Sequence, residues 1–142
     1  MTFVLDASAV FRYSDNETGA ARVEELLNLA LRGKAQLLLS AVNWGEIAGI
    51  LYKRHGRADA RRIAGNLTAL PIAIVPVDKA DAEGAGIFKQ EHGVPYADAY
   101  AGFLAQRESA TLVTADFDFK KIPSGVISVE FLAGKPGRSG VV

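Results

Sequence analysis

The chain has 142 residues, 49% hydrophobic and 23% charged, and its 16 basic and 16 acidic side chains cancel. That balance suits one soluble globular domain and excludes a wholly disordered chain, while two domains of this total length would each be too small. Cysteine is absent, which excludes a disulfide framework and a thiolate metal site and leaves hard oxygen ligands for any cation.

Thr2 to Leu5 is an apolar run ending in Asp6, and Asp6 or Ser8 is available to cap the short helix that follows. Residues Thr18 to Arg32 carry Val23, Leu26, Leu27 and Ala30 at helical spacing, with Gly33 as a stop signal. Gln36 to Leu39 is the second strand. Ser40 then caps a helix through about Arg54, with Trp44, Ile47, Ile50 and Leu51 on its apolar face and Gly56 at its end. The next helix runs from Arg57 to about Leu70 and stops before Pro71.

Ile72 to Val77 is the third strand. A helix follows over Lys79 to His92, where Ala82, Gly84, Ala85 and Gly86 point to close packing, and Gly93 ends it. Pro95 sits at the first turn of a helix to about Glu108, with Ala99, Phe103 and Leu104 inward. Thr111 to Thr114 is a buried strand, Phe117 to Ile122 a short helical turn, and Val126 to Val129 a last strand. Strands alternating with helices predict right-handed crossovers and an α/β fold, a three-layer α/β/α domain with a central parallel sheet. The domain is expected over residues 1–132, with a flexible C-terminal tail over residues 133–142, where Gly134, Pro136, Gly137 and Gly140 fall.

No apolar run approaches the roughly 20 residues that span a bilayer, and no basic segment with a signal-type apolar stretch opens the chain. The expectation is a cytoplasmic protein that does not enter a membrane. Lys53, Arg54, Arg57, Arg61 and Arg62, with His55 among them, form the one dense basic block. Two readings of it stay open: a solvated helical corner, or a patch that contacts phosphates or a partner.

Chemistry is expected from four acids, each near the start of a helix or the end of a strand: Asp6, Glu46, Asp98 and Asp116. Ligands of open parallel sheets bind at the carboxyl ends of the strands, so Asp6 and Asp116 would face a shared crevice. Capping is the simpler role for Asp6, and compensation of the helix dipole for Asp98. Glu46 lies between Trp44 and Ile47 on a largely apolar helix, where an unpaired buried carboxylate would be costly, and a functional role is favoured. Convergence of the four would raise their pKa values unless a cation neutralised them. Mg²⁺ or Mn²⁺ is the natural solution, since such ions take carboxylate oxygens and support phosphodiester hydrolysis. Asp116 is read as the ligand ahead of Asp118, which caps the following turn or holds a metal-bound water. Ser8 and Thr114 either orient carboxylates or bond the local backbone.

Val4-Leu5-Asp6-Ala7-Ser8-Ala9, the Ser40-to-Glu46 segment with Ile47, Pro95-Tyr96-Ala97-Asp98-Ala99, and Thr111 to Phe119 occur in an order and at a chain length that resemble the PIN-domain ribonucleases. More narrowly, they resemble the VapC-type toxins of VapBC toxin–antitoxin pairs. The resemblance implies that Asp6, Glu46, Asp98 and Asp116 form an acidic metal site with Asp118 as an accessory. It implies Mg²⁺- or Mn²⁺-dependent endonucleolytic cleavage of RNA, a homodimer, and a small antitoxin protein whose tail enters the groove. The competing reading is a catalytically silent PIN-like module that binds RNA or protein. Clustered acids argue against it, because negative charge adds little to a surface that only binds RNA. An aspartyl-phosphate phosphotransferase ranks lower, since Ser8 stands where a second Asp is expected. No glycine-rich dinucleotide turn or P-loop is present.

Overall fold

Val4, Leu5, Leu112 and Val113 are wholly buried. They lie on the two central strands of a parallel sheet, and strands covered on both faces read as continuous apolar runs rather than alternating ones. The structure is a computed structural model and describes residues 1–133. Its strands are β1 (Thr2–Leu5), β2 (Gln36–Ser40), β3 (Ala73–Val75), β4 (Thr111–Thr114) and β5 (Ser128–Phe131), ordered β3-β2-β1-β4-β5 and all parallel. The helices are α1 (Ala7–Ser14), α2 (Ala20–Leu31), α3 (Ala41–Thr68), α4 (Lys79–His92) and α5 (Tyr96–Arg107), with a 3-10 turn at Phe117–Lys121.

Alternate residues of each strand enter opposite cores. Phe3, Leu5, Leu37, Leu39 and Val113 pack with Val10, Val23, Leu26, Ile47 and Leu51 of α1, α2 and α3. Val4, Leu38 and Leu112 pack with Phe88 of α4, Ala99 and Leu104 of α5, and Phe119. The expected three-layer α/β/α architecture with a central parallel sheet is what the structure has. From β1 the chain winds outward through β2 to β3, then crosses back to place β4 on the other side of β1. The β1/β4 junction is therefore the topological switch point, where a crevice opens beyond the strand ends.

Local chemistry explains most boundaries. Gly56 has φ 80° and ψ 172° and breaks α3 into two legs at the expected place. β3 is shorter than the predicted Ile72 to Val77, since Pro76 has no amide hydrogen to continue a ladder. β5 begins two residues later than expected, because the Val126 amide is spent in a turn on the Pro123 carbonyl. The tail expected from residue 133 onward lies, after Ala133, outside the described residues. The Ala133 carbonyl accepts from Arg12, a 2% exposed arginine that also donates to the Thr18 carbonyl.

Close packing was expected at α4 and occurs between α4 and α5. A Cβ on Gly84 would overlap the Phe103 ring, and one on Gly102 would stand 2.6 Å from the buried Phe88 ring, whereas Gly86 faces open space. Gly102→Ala adds helix propensity of about 1 kcal/mol, but overpacking against a ring that cannot move aside costs about 1–3 kcal/mol. Taken at the middle of that range, the substitution is expected to destabilise the protein by about 1 kcal/mol in urea denaturation. Unchanged or raised stability would mean that this seam is looser than the structure shows.

Candidate metal centre

Leu5 and Thr114 end the two central strands, and the next turns deliver Asp6 from β1 and Asp116 and Asp118 from β4. Asp6 is 3% exposed. It does cap α1, accepting from the Ala9 amide at 2.9 Å, so the capping role expected of it is real. It does more. Oδ1 also accepts from Ser8 Oγ at 2.6 Å, and Oδ2 accepts from Thr114 Oγ1. Burial pushes the Asp6 carboxyl up to about 6, against the pull of Ser8, Thr114 and the Ala9 amide, and the nearby Asp116 charge adds a further upward push.

Ser8 and Thr114 hold both roles that the sequence left open. Besides donating to Asp6, Ser8 Oγ accepts from the Ala115 amide and Thr114 Oγ1 from the Asp116 amide, each at 2.9 Å. The ends of β1 and β4 are thereby tied together. A hydrogen bond to a charged group contributes about 1.5–3 kcal/mol, so Thr114→Val should cost at least about 1.5 kcal/mol at pH 7. Urea denaturation measures it, and stability equal to wild type would mean that Thr114 does not hold Asp6.

Asp98 enters from the first turn of α5, where the helix dipole favours its charge by about 0.3–1 kcal/mol. That is too little to govern it. The carboxyl is 9% exposed, its Oδ2 is buried without a hydrogen-bond partner, and its pKa is raised to about 8. Burial is the main cause, followed by the adjacent Asp116 carboxylate, then the charges of Asp6 and Glu46. The charges of the other three acids singled out in the sequence all bear on Asp98.

Two expectations need correction. Glu46 is exposed rather than buried, because the inward row of α3 is Asn43, Ile47 and Leu51 and Glu46 turns out of it by one residue. The turn after β4 is capped by Asp116, whose Oδ1 accepts from the Asp118 amide at 2.9 Å, not by Asp118. Asp118 instead joins Asp98 and Asp116, and one carboxylate oxygen from each lies within 4.8 Å of the others. Asp6 and Glu46 are outside that group of three.

Asn43 was not singled out from the sequence. It is wholly buried, and its Nδ2 donates to the Ala97 carbonyl at 3.1 Å and to Glu46 Oε1 at 3.4 Å, joining α3 to the residue before Asp98. The available signal was its position three residues before Glu46, which puts the two side chains on neighbouring parts of one helix face. The basic block is exposed throughout, and three of its cations have neighbours. Arg54 pairs with Asp15 at 3.1 Å, Arg62 with Asp59 at 3.7 Å, and Arg57 lies over Tyr52.

Three carboxylates with converging oxygens, one of them buried and unsatisfied, fit a hard divalent cation. Residues 3–125 match the family model described as the PIN domain. The chain belongs to the PIN-domain family. No curated protein matches it in sequence. Among solved PIN-like structures it resembles VapBC2 from Rickettsia felis bound to a promoter DNA fragment, at 18% identity and TM-score 0.72, over 94% of this chain and 100% of that one. It also resembles VapBC-1 from nontypeable Haemophilus influenzae, at 17% identity and TM-score 0.70, over 92% and 98% of the two chains. A third is the Mycobacterium tuberculosis VapC20, a Sarcin-Ricin loop cleaving toxin, at 18% identity and TM-score 0.67, over 90% and 98%. At such identities the likeness is one of fold. The PIN-domain helices include none, among the described residues, that is long and apolar enough to cross a membrane.

Proposed function

We propose that this PIN domain is a Mg²⁺- or Mn²⁺-dependent endoribonuclease, the toxin of a toxin–antitoxin pair. The observation that carries the reading is the group of Asp98, Asp116 and Asp118 at the switch point, with the unsatisfied Asp98 oxygen among them. Family membership and the fold shared with the VapBC structures support it. RNA is the proposed substrate, a small antitoxin protein and a second copy of the chain are the proposed partners, and the cytoplasm is the proposed place of action.

Asp98, Asp116 and Asp118 hold the cation in this reading, with Asp6 and Glu46 completing the acidic site from β1 and α3. When bound, the ion activates water and offsets charge on the phosphodiester oxygens. The protein's own contribution is placement. Ser8 and Thr114 fix the Asp6 carboxylate, the Asp116 cap on the Asp118 amide fixes the turn, and Asn43 holds the α5 N-terminus beside Glu46. Hydrogen bonds from such supporting residues keep ligands oriented before substrate arrives.

Cleavage of a mixed cellular RNA pool by antitoxin-free protein tests the reading. Discrete cuts that vanish on chelation and return with Mn²⁺ are the expected result. RNA left intact with every divalent ion would overturn it and leave a binding module.

A further inference from the structure

β5 is an edge of the sheet, the outermost strand on the β4 side. The other edge is blunted, because β3 has only three residues and Pro76 follows it. β5, Ser128-Val129-Glu130-Phe131, carries neither proline nor lysine. The Leu132 amide bonds to the Thr114 carbonyl, so Ser128, Glu130 and Leu132 turn their backbone groups toward β4. Val129 and Phe131, with Ile127 just before the strand, turn theirs outward, and among the described residues no strand pairs with that row. The side chains of these three lie on one face. With Phe119 and Ile122 they line a groove of about 510 Å³. On the opposite face Glu130 is held by its own Arg22, which donates to the carboxylate from Nε at 2.7 Å and from Nη2 at 3.0 Å.

An unpaired edge with an apolar floor beside it is a template for a further strand. The sequence of β5 fits itself. Two copies related by a two-fold axis set their edge strands antiparallel, and the residue on the axis fixes every other pair. Centred on Glu130, the pairing would place like charges directly opposite, which is destabilising. Centred on Val129, it places Val129 opposite the partner's Val129, Phe131 opposite the partner's Ile127 and Glu130 opposite the partner's Ser128. Apolar side chains then meet on the groove face, and carboxylate meets hydroxyl on the other. We propose that two copies of the chain join their sheets through β5, antiparallel and centred on Val129, with the partner's Val129 and the partner's Phe131 covering the groove. The blunted β3 edge stops the assembly at two. The inference assigns a surface to the second copy named above as a partner, and its test needs no RNA cleavage, so it stands apart from the ribonuclease reading.

Sedimentation velocity of the full chain over a range of concentrations, combined with cysteine cross-linking, tests it. Wild type should form a dimer. Val129→Pro removes an outward N–H and no bond to β4, and should raise the dimer Kd about 10- to 100-fold with the far-UV circular dichroism unchanged, in line with two lost hydrogen bonds at the axis. The register has its own readout, which does not need that variant to fold. Ser128→Cys protein mixed with Glu130→Cys protein should oxidise to a covalent heterodimer, because directly opposite residues of this kind have Cα atoms about 4.5 Å apart, within disulfide reach. Each variant alone should stay uncoupled, and the chain has no other cysteine. A wild-type monomer at every concentration would overturn the inference and leave the edge to residues 134–142 or to a different protein. A dimer that persists in Val129→Pro and gives no cross-link in the mixture would overturn it by placing the interface elsewhere. Coupling of Glu130→Cys alone would put the axis on residue 130 and overturn the pairing.

Discussion

Asp98→Asn is expected to lower metal-dependent RNA cleavage by about 100-fold or more and, in the metal-free protein, to raise stability above pH 7. Loss of a group that merely supports a metal ligand already costs about 10–100-fold, and Asp98 is argued to be a ligand. The stability gain follows from its proton. In the folded chain Asp98 titrates at about 8, against 3.8 for an ordinary aspartate, because it is buried beside Asp116, Asp6 and Glu46. Between about pH 4 and pH 8 the folded chain therefore holds a proton that the unfolded chain has lost, and its stability falls as pH rises through that window. Asp6, raised to about 6, steepens the fall over the lower half of the range. Asparagine at position 98 removes the larger contribution. Urea denaturation at pH 5 and pH 8 should show a steep loss in wild type and a shallower one in the variant. Equal slopes would mean that Asp98 is not the buried, proton-holding group that the structure makes it.

Divalent cations are expected to reverse the same loss. An ion that binds the folded chain alone stabilises it by about 2.7 kcal/mol at a concentration 100 times its Kd, enough to raise the Tm by several degrees in a chain of this size. Mn²⁺ should therefore raise the Tm more at pH 8 than at pH 5, since at the lower pH protons compete for Asp98 and Asp6. Asp116→Asn, which leaves one carboxylate fewer beside Asp98 and Asp118, should lose most of the effect. A Tm rise of the same size in Asp116→Asn would place the ion elsewhere.

How much of this was legible in the sequence depended on how local the cause was. β1 and β4 announced themselves because strands buried on both faces are unbroken apolar runs, and their acids stood out because the runs stop at them. Gly56 and Gly93 marked helix ends through their own backbone freedom, with φ of 80° and 68°. Causes distant along the chain stayed hidden. Arg12 is buried because carbonyls of Thr18 and Ala133 close on it, and nothing near residue 12 signals the second of these. The outward turn of Glu46 depended on which neighbours on α3 face the sheet, and Asn43 gained its meaning only when α5 arrived against it. The Asp116 and Asp118 roles were separated by where β4 stops, at Thr114, which leaves Asp116 to cap the turn that follows.

The central claim is that the carboxylates at the β1/β4 crevice form one cation site. Titration of Mn²⁺ into the metal-free protein at pH 7, by calorimetry in two buffers of different ionisation heat, tests it most directly. With Asp98 titrating at about 8, the expected result is saturable binding with release of close to one proton per ion, and loss of both in Asp98→Asn. Absence of binding, or binding and proton release unchanged in Asp98→Asn, would contradict it.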